Sequence, residues 1–233
     1  MVSGRDLTAL ATALAVALLT GAACIVTPEP AASPMGLRYV ALGDSYTIGT
    51  SVTLAQSWPS QLVARMNGQL VLVANLGVNG YSSADLIAAE LPALDDLRPQ
   101  FVTIQIGVND VVRRVHQVDY QANVELILDE LLMRLAPDRI LAVATPDYTA
   151  TPMGGTFGNP AQQRAAIDHF NDVLREAAQA RGISFVPDIY ETSRRVVADP
   201  SLVASDGLHP SGAQYALWVD AILPVVEELL AGS

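Results

Sequence analysis

The chain has 233 residues, enough for one domain with a sizeable core, and 51% of them are apolar, which excludes a disordered or low-complexity protein. Its formal net charge is −11 and all 13 basic residues are arginine, a balance that disfavours nucleic acid or an anionic membrane surface as the main partner. Cys24 is the one cysteine, so no internal disulfide and no cysteine-pair zinc site is possible. The three histidines, His116, His169 and His209, stand far apart with no HExxH-like pair, and nothing points to a metal or another cofactor.

The N-terminal Leu7 to Val26 is uncharged and rich in Ala and Leu, with Arg5 as the only basic side chain before it. Gly21-Ala22-Ala23 precede Cys24, and a Pro/Ala-rich stretch follows that has no means of packing. Three readings fit: cleavage after Ala23 with a lipid on Cys24, ordinary secretion with cleavage nearby, or an uncleaved anchor, since about 20 apolar residues cross a bilayer. "GAAC" resembles a bacterial lipoprotein signal, although an aliphatic residue is usual where Gly21 stands. The organisation expected is a signal or lipoprotein-type leader over 1–24, a tether over 25–36 and one domain over 37–233. All three readings put the domain outside the cytoplasm, with membrane contact only through the leader or its lipid.

From Leu37 onward, short apolar runs alternate with helical patterns. The runs predict strands at Arg38–Leu42, Leu70–Asn75, Phe101–Ile106, Ile140–Ala144 and Ser184–Val186, most of them aliphatic on both faces as in a covered parallel sheet. Apolar residues three and four apart predict helices at Gln56–Met66, Ser83–Leu97, Asp119–Leu135, Ala161–Arg181 and Ser211–Leu230, with Pro99 and Pro137 as stops beyond two of them. Alternating β and α with short links reads as a doubly wound α/β sandwich, whose ligands bind beyond the carboxyl ends of the strands. One link is long, Thr145 to Pro160, and loops of that length are usually functional or mobile; its Gly154-Gly155 would allow it to move as a lid.

The strand ends carry small polar clusters: Gly43-Asp44-Ser45 after the first, "NLGVNGYSS" after the second, "GVND" after the third, and "SDGLHPSG" beyond the last. A serine hydroxyl becomes a nucleophile when a base takes its proton, and an imidazole needs an acceptor on its other nitrogen to fix tautomer and orientation. Ser45, His209 and Asp206 supply those three types, with Asp206 three residues before His209. An oxyanion formed at a carbonyl needs donors already aimed at it. The backbone N–H groups of Ser45 and Gly80 and the amide of Asn109 are candidates.

In these blocks the chain resembles the GDSL or SGNH hydrolase superfamily, from about Leu37 to Leu230 and in the family's order. "GDSY" holds Ser45, "GVNG" ends in Gly80, "GVND" holds Asn109, and "DGLHP" holds Asp206 and His209. "SWPSQL", Ser57 to Leu62, is similar to the helix after the first block of thioesterase/lysophospholipase-type bacterial members. The resemblance implies a flavodoxin-like three-layer αβα sandwich with about five parallel strands. It also implies a catalytic triad of Ser45, Asp206 and His209, an oxyanion hole of Ser45, Gly80 and Asn109, no cofactor, and ester hydrolysis through an acyl-enzyme. Lipid, aryl, short-chain acyl, thioester and acetylated carbohydrate substrates all fit. Gly77 competes with Gly80 for the second block, and Gly80 is preferred because the family's glycine follows a polar residue. Tyr46 departs from the namesake Leu and is expected against the core or the cleft wall.

Each block alone is ordinary turn chemistry; together and in order they argue for catalysis over a non-catalytic surface binder that kept the fold. His116 reads as an exposed residue and His169 as a surface or half-buried helical one. Asp44 and Asp110 read as supports of the loops. Trp58, Tyr148 and Phe157 are candidates for lining the cleft, although single aromatics more often serve packing.

Overall fold

The computed structural model describes residues 36–232, so the leader, Cys24 and nearly all of the tether lie outside the described residues. β1 (Leu37–Gly43) runs into a four-residue helix, α1 (Ser45–Ile48), and a 3-10 turn at Leu54–Gln56 leads to α2 (Trp58–Arg65). Then come β2 (Leu70–Asn75), α3 (Ser83–Leu97), β3 (Phe101–Gln105), α4 (Val108–Val112), α5 (Gln117–Leu132) and β4 (Ile140–Val143). The chain ends with α6 (Pro160–Gln179), β5 (Ser184–Val186), α7 (Ile189–Ser193) and α8 (Gly212–Ala231).

The five strands form one parallel sheet in the order β2-β1-β3-β4-β5. α2 packs on α8, and α3, α5 and α6 pack in series, which gives the three-layer sandwich that alternating β and α predicts. β3 and β4 are buried throughout and β1 from Tyr39 onward, because helices cover both faces. β2, at an edge, is largely half-buried. Between β1 and β3 the side chains of Tyr39 and Thr103 satisfy each other, Oη and Oγ1 lying 2.7 Å apart and buried.

The five expected strands fall within a residue of their predicted ends. The helix expected from Gln56 starts at Trp58, with Pro59 in its first turn and the preceding residues wound into the 3-10 turn. Ser82 and Asp85 form a capping box on α3, and Asn159 and Ser211 cap α6 and α8. α1, α4 and α7 were not expected, because helices of four or five residues carry no periodic signal.

The strand order fixes where a ligand would sit. The chain leaves β1 for β2 on one side and later enters β3 on the other. That reversal opens a crevice beyond the carboxyl ends of β1 and β3. α1 and α4 start there, and with them the first and third polar clusters.

Candidate active site

Ser45 opens α1 directly after β1 and is 7% exposed. The turn is made by Asp44, which caps α1: its Oδ1 accepts the Tyr46 N–H at 2.9 Å. Tyr46 is buried with its ring 5.0 Å from the His209 ring and 6.4 Å from Trp218. The aromatic side chain in place of the namesake Leu therefore forms a wall beside the imidazole.

Asn109 stands one residue into α4. Its Nδ2 donates to Tyr81 O at 2.9 Å, and Asp44 Oδ2 lies 3.4 Å away. Asp110, fully buried, accepts the Ser83 N–H at 2.9 Å and the Ser83 hydroxyl at 2.6 Å, which ties α4 to the start of α3.

The two glycines of the second block stand in different surroundings. A Cβ on Gly77 would stand 2.7 Å from Asp44 O and 2.8 Å from Ile48 N, so Gly77 lets the loop lie against the turn that carries Ser45. Gly80 has φ +81°, meets no atom within 4 Å of a built Cβ, and lines the cavity. Arg113 holds it from behind: Nη2 donates to Gly80 O at 2.5 Å and Nη1 reaches Asp85 at 2.8 Å.

Asp206 and His209 sit in the loop before α8, which an antiparallel bridge between Val203 and Pro210 holds in shape. Asp206 Oδ2 lies 2.6 Å from His209 Nδ1, and Asp206 Oδ1 accepts the N–H groups of Leu208 at 2.9 Å and His209 at 3.0 Å. Ser51, outside every motif, also donates to Oδ2 at 2.6 Å. Burial alone would raise the Asp206 carboxyl, but the bonds from Ser51, His209 and the two backbone groups outweigh it and hold it well below the usual range.

One cavity gathers these groups. Ser45, Gly80, Asn109 and His209 line it, and its other walls are Tyr46, Asn79, Val108, Val112, Tyr148, Phe157 and Leu208. Among the described residues no hydrogen bond joins Ser45 Oγ to His209; in enzymes without substrate that contact is often long and tightens in the complex. Tyr148 and Phe157 line the cavity as expected, whereas Trp58 is sealed in the core. Val108 and Val112 flank Asn109 on α4 and could have been read from "GVNDVV". The Thr145–Pro160 segment, read as a lid, is tied down: Tyr148 Oη donates to Gln163 at 2.6 Å, the Met153 N–H to Gly207 O at 3.0 Å, and buried Asp147 pairs with Arg164 at 2.9 Å. His116 is exposed and His169 half-buried, both away from the cavity. Among the described residues no three His, Cys, Asp or Glu side chains are grouped to hold a metal ion.

Behind the Ser45 turn lie three buried carboxyls. Glu90 Oε2 accepts the Gly43 N–H at 2.9 Å. Burial, with Asp44 nearby, pushes Glu90 up to about 9. Burial also pushes Asp44 up to about 7, with Asp110 adding to the rise, and it raises Asp110 too. Glu90 interrupts an apolar stripe, Leu86 and Leu94 each four residues away. That acid on a buried face was the available sign.

A hydroxyl beside an imidazole–carboxylate pair, at the switch point of a parallel αβα sandwich, is the layout of a hydrolase acting on ester bonds. The chain belongs to the GDSL-like lipase/acylhydrolase family, whose sequence profile matches residues 41–217. It is similar to an arylesterase of Vibrio mimicus, 25% identical over 182 residues that cover 77% of this chain and 83% of that protein. It is also 25% identical to the esterase TesA of Pseudomonas aeruginosa, over 91% of this chain and 98% of the relative. The fold is shared with an acetyl xylan esterase of Geobacillus stearothermophilus, at a TM-score of 0.66 and 21% identity over 82% of this chain and 95% of that one.

Two outcomes follow. Gly77→Ala is expected to lower stability in urea unfolding by about 1–3 kcal/mol, the usual range for overpacking; unchanged stability would mean that the Ser45 turn has room to move. Glu90 and Asp44 both bind their protons more tightly folded than unfolded, so the stability these two groups contribute is full below the ordinary carboxylate range and is lost as pH rises through about 7 for Asp44 and about 9 for Glu90. Between those two values Glu90 still contributes and Asp44 no longer does, so Glu90→Gln, which keeps an acceptor for Gly43, lessens the fall over that stretch. Urea midpoints measured across the range would refute this if the slope survived the substitution.

Proposed function

We propose that the protein is an extracytoplasmic serine esterase that hydrolyses carboxylic esters with an apolar acyl group, lipid, aryl or short-chain, through an acyl-enzyme on Ser45. The 2.6 Å bond between Asp206 and His209, on the cavity that Ser45 enters, carries this reading. Asp206 holds the Nδ1 proton and leaves Nε2 free to act as base. Ser45 Oγ attacks the ester carbonyl while Nε2 takes its proton. The resulting oxyanion is met by the N–H groups of Ser45 and Gly80 and by Asn109 Nδ2, whose amide is already oriented by Tyr81 O. The imidazolium then protonates the leaving alcohol. Water, activated by the same imidazole, attacks the acyl-enzyme and releases the acid.

The lining supports the substrate class. Val108, Val112, Tyr148, Phe157 and Leu208 offer apolar walls, and among the described residues no Asp, Glu, Lys or Arg lines the cavity. The names of the arylesterase and esterase relatives agree with such substrates. The location outside the cytoplasm rests on the 1–24 segment alone, with Cys24 as lipid acceptor.

Turnover of p-nitrophenyl esters of graded chain length tests the reaction. Wild type is expected to hydrolyse at least one and to be labelled by a fluorophosphonate, and Ser45→Ala is expected to fall to near background on both. Equal activity in the two would remove Ser45 from its role. Release of acetate from acetylated xylan without p-nitrophenyl ester turnover would favour a carbohydrate esterase, and inertness to every ester and to the label a surface binder. For the leader, the intact mass of protein purified from membranes should match a chain beginning at a lipidated Cys24; an uncleaved mass would mark an anchor instead.

A further inference from the structure

Asp206 carries four hydrogen-bond contacts, and three come from its own turn: the N–H groups of Leu208 and His209 on Oδ1, and His209 Nδ1 on Oδ2. The fourth comes from Ser51, 155 residues away in sequence, whose Oγ–H donates at 2.6 Å to the oxygen that also holds the imidazole. Ser51 lies just beyond α1, where Thr50 and Val52 donate their N–H groups to Ser45 O and Gly49 O. Its φ is +66°, in the left-handed region that glycine occupies without penalty and serine does not. The residue is exposed, so packing gives no reason for a serine there. The side chain's one bond does.

We propose that Ser51 is a positioning residue for the reaction: its hydroxyl fixes Asp206 Oδ2 and thereby sets how the carboxylate holds the His209 imidazole. The proposal rests on the reading of Ser45, Asp206 and His209 as the reacting groups. Two donors share one carboxylate oxygen. Without the hydroxyl, that oxygen's charge falls wholly on the imidazole, so the imidazolium is held more tightly and the carboxylate loses its tie to the segment that carries Ser45. The other titratable groups facing the pair are Tyr46 of α1 and Tyr215 of α8, both held neutral by burial, and Asp44, which acts on both phenols. They are the same in wild type and in Ser51 variants, so the difference between their pH profiles reports on Ser51.

The experiment compares wild type, Ser51→Gly, Ser51→Asn and Ser45→Ala on p-nitrophenyl acetate, with kcat and kcat/KM followed over pH and Tm measured in parallel. Ser51→Gly removes the hydroxyl and relieves the backbone. It is expected to melt no lower than wild type, to lose about tenfold in kcat, the scale of one hydrogen bond to a charged group, and to shift the acid limb of kcat/KM to higher pH. Ser51→Asn tolerates the left-handed conformation and supplies a new donor, so it regains both the rate and the position of the limb. A Ser51→Gly enzyme with wild-type kcat and an unmoved limb overturns the proposal. So does a loss of rate matched by a loss in Tm, which would make Ser51 a prop of its loop. Turnover by Ser45→Ala would instead overturn the underlying triad; an inert Ser45→Ala beside an unaltered Ser51→Gly removes Ser51 alone.

Discussion

β1 runs between β2 and β3 with Tyr39 to Leu42 sealed from solvent, so polar groups that need water or substrate have their outlet where the strand stops. Gly43-Asp44-Ser45 occupies that outlet. β3, the neighbour on one side, ends level with β1, Gln105 pairing with Gly43, and delivers Asn109 to the same crevice. The loop after β2, the neighbour on the other side, brings Gly80. Three of the polar clusters are thus gathered by strand order alone. The fourth, with Asp206 and His209, reaches the crevice from a loop that has its own bridge and must be aimed by other contacts.

Gathering polar groups under a dry sheet has a cost. Asp44, Glu90 and Asp110 are all buried close behind Ser45, and burial pushes each toward its neutral form. Each compensates by accepting backbone N–H groups at a junction: Tyr46 in α1, Gly43 at the end of β1, Ser83 at the start of α3. The carboxyls therefore serve as internal clamps on the turns that hold Ser45, Gly80 and Asn109. Asp206 is the opposite case. It remains partly exposed and richly bonded, and so keeps its charge where the imidazole needs it.

Much of this was legible in the sequence, for identifiable reasons. Strands covered on both faces are apolar on both faces, and long helices repeat their stripe often enough to be seen. The motif residues Ser45, Gly80 and Asn109 each follow a strand, which is why the topology brings them to one cavity, whereas His209 stands just before the long helix α8 and reaches the same cavity from its loop. The short helices α1 and α4 were invisible because they exist by capping and tertiary contact. Trp58 shows the limit of the pattern: an aromatic near a motif gives no sign of which face of α2 it occupies, and here the commoner role, packing, is the one it takes. Glu90, Arg113 and Ser51 were missed since their importance lies in partners 47, 33 and 155 residues away. Sequence patterns read neighbours well and long-range partners poorly.

The order in which the elements close has a consequence for how the protein is made. A growing chain has all five strands in hand once Val186 is joined, and the sheet, Ser45 and Asn109 can then take their places. The imidazole and its carboxylate are still missing. They belong to the segment between β5 and α8, whose Gly207 carbonyl accepts from Met153 and whose Asp206 meets Ser51. On the proposed reading, a chain halted between those points carries Ser45 without the base that would activate it. If Ser45, Asp206 and His209 react as proposed, hydrolytic competence is acquired last, after the segment before α8 has been made.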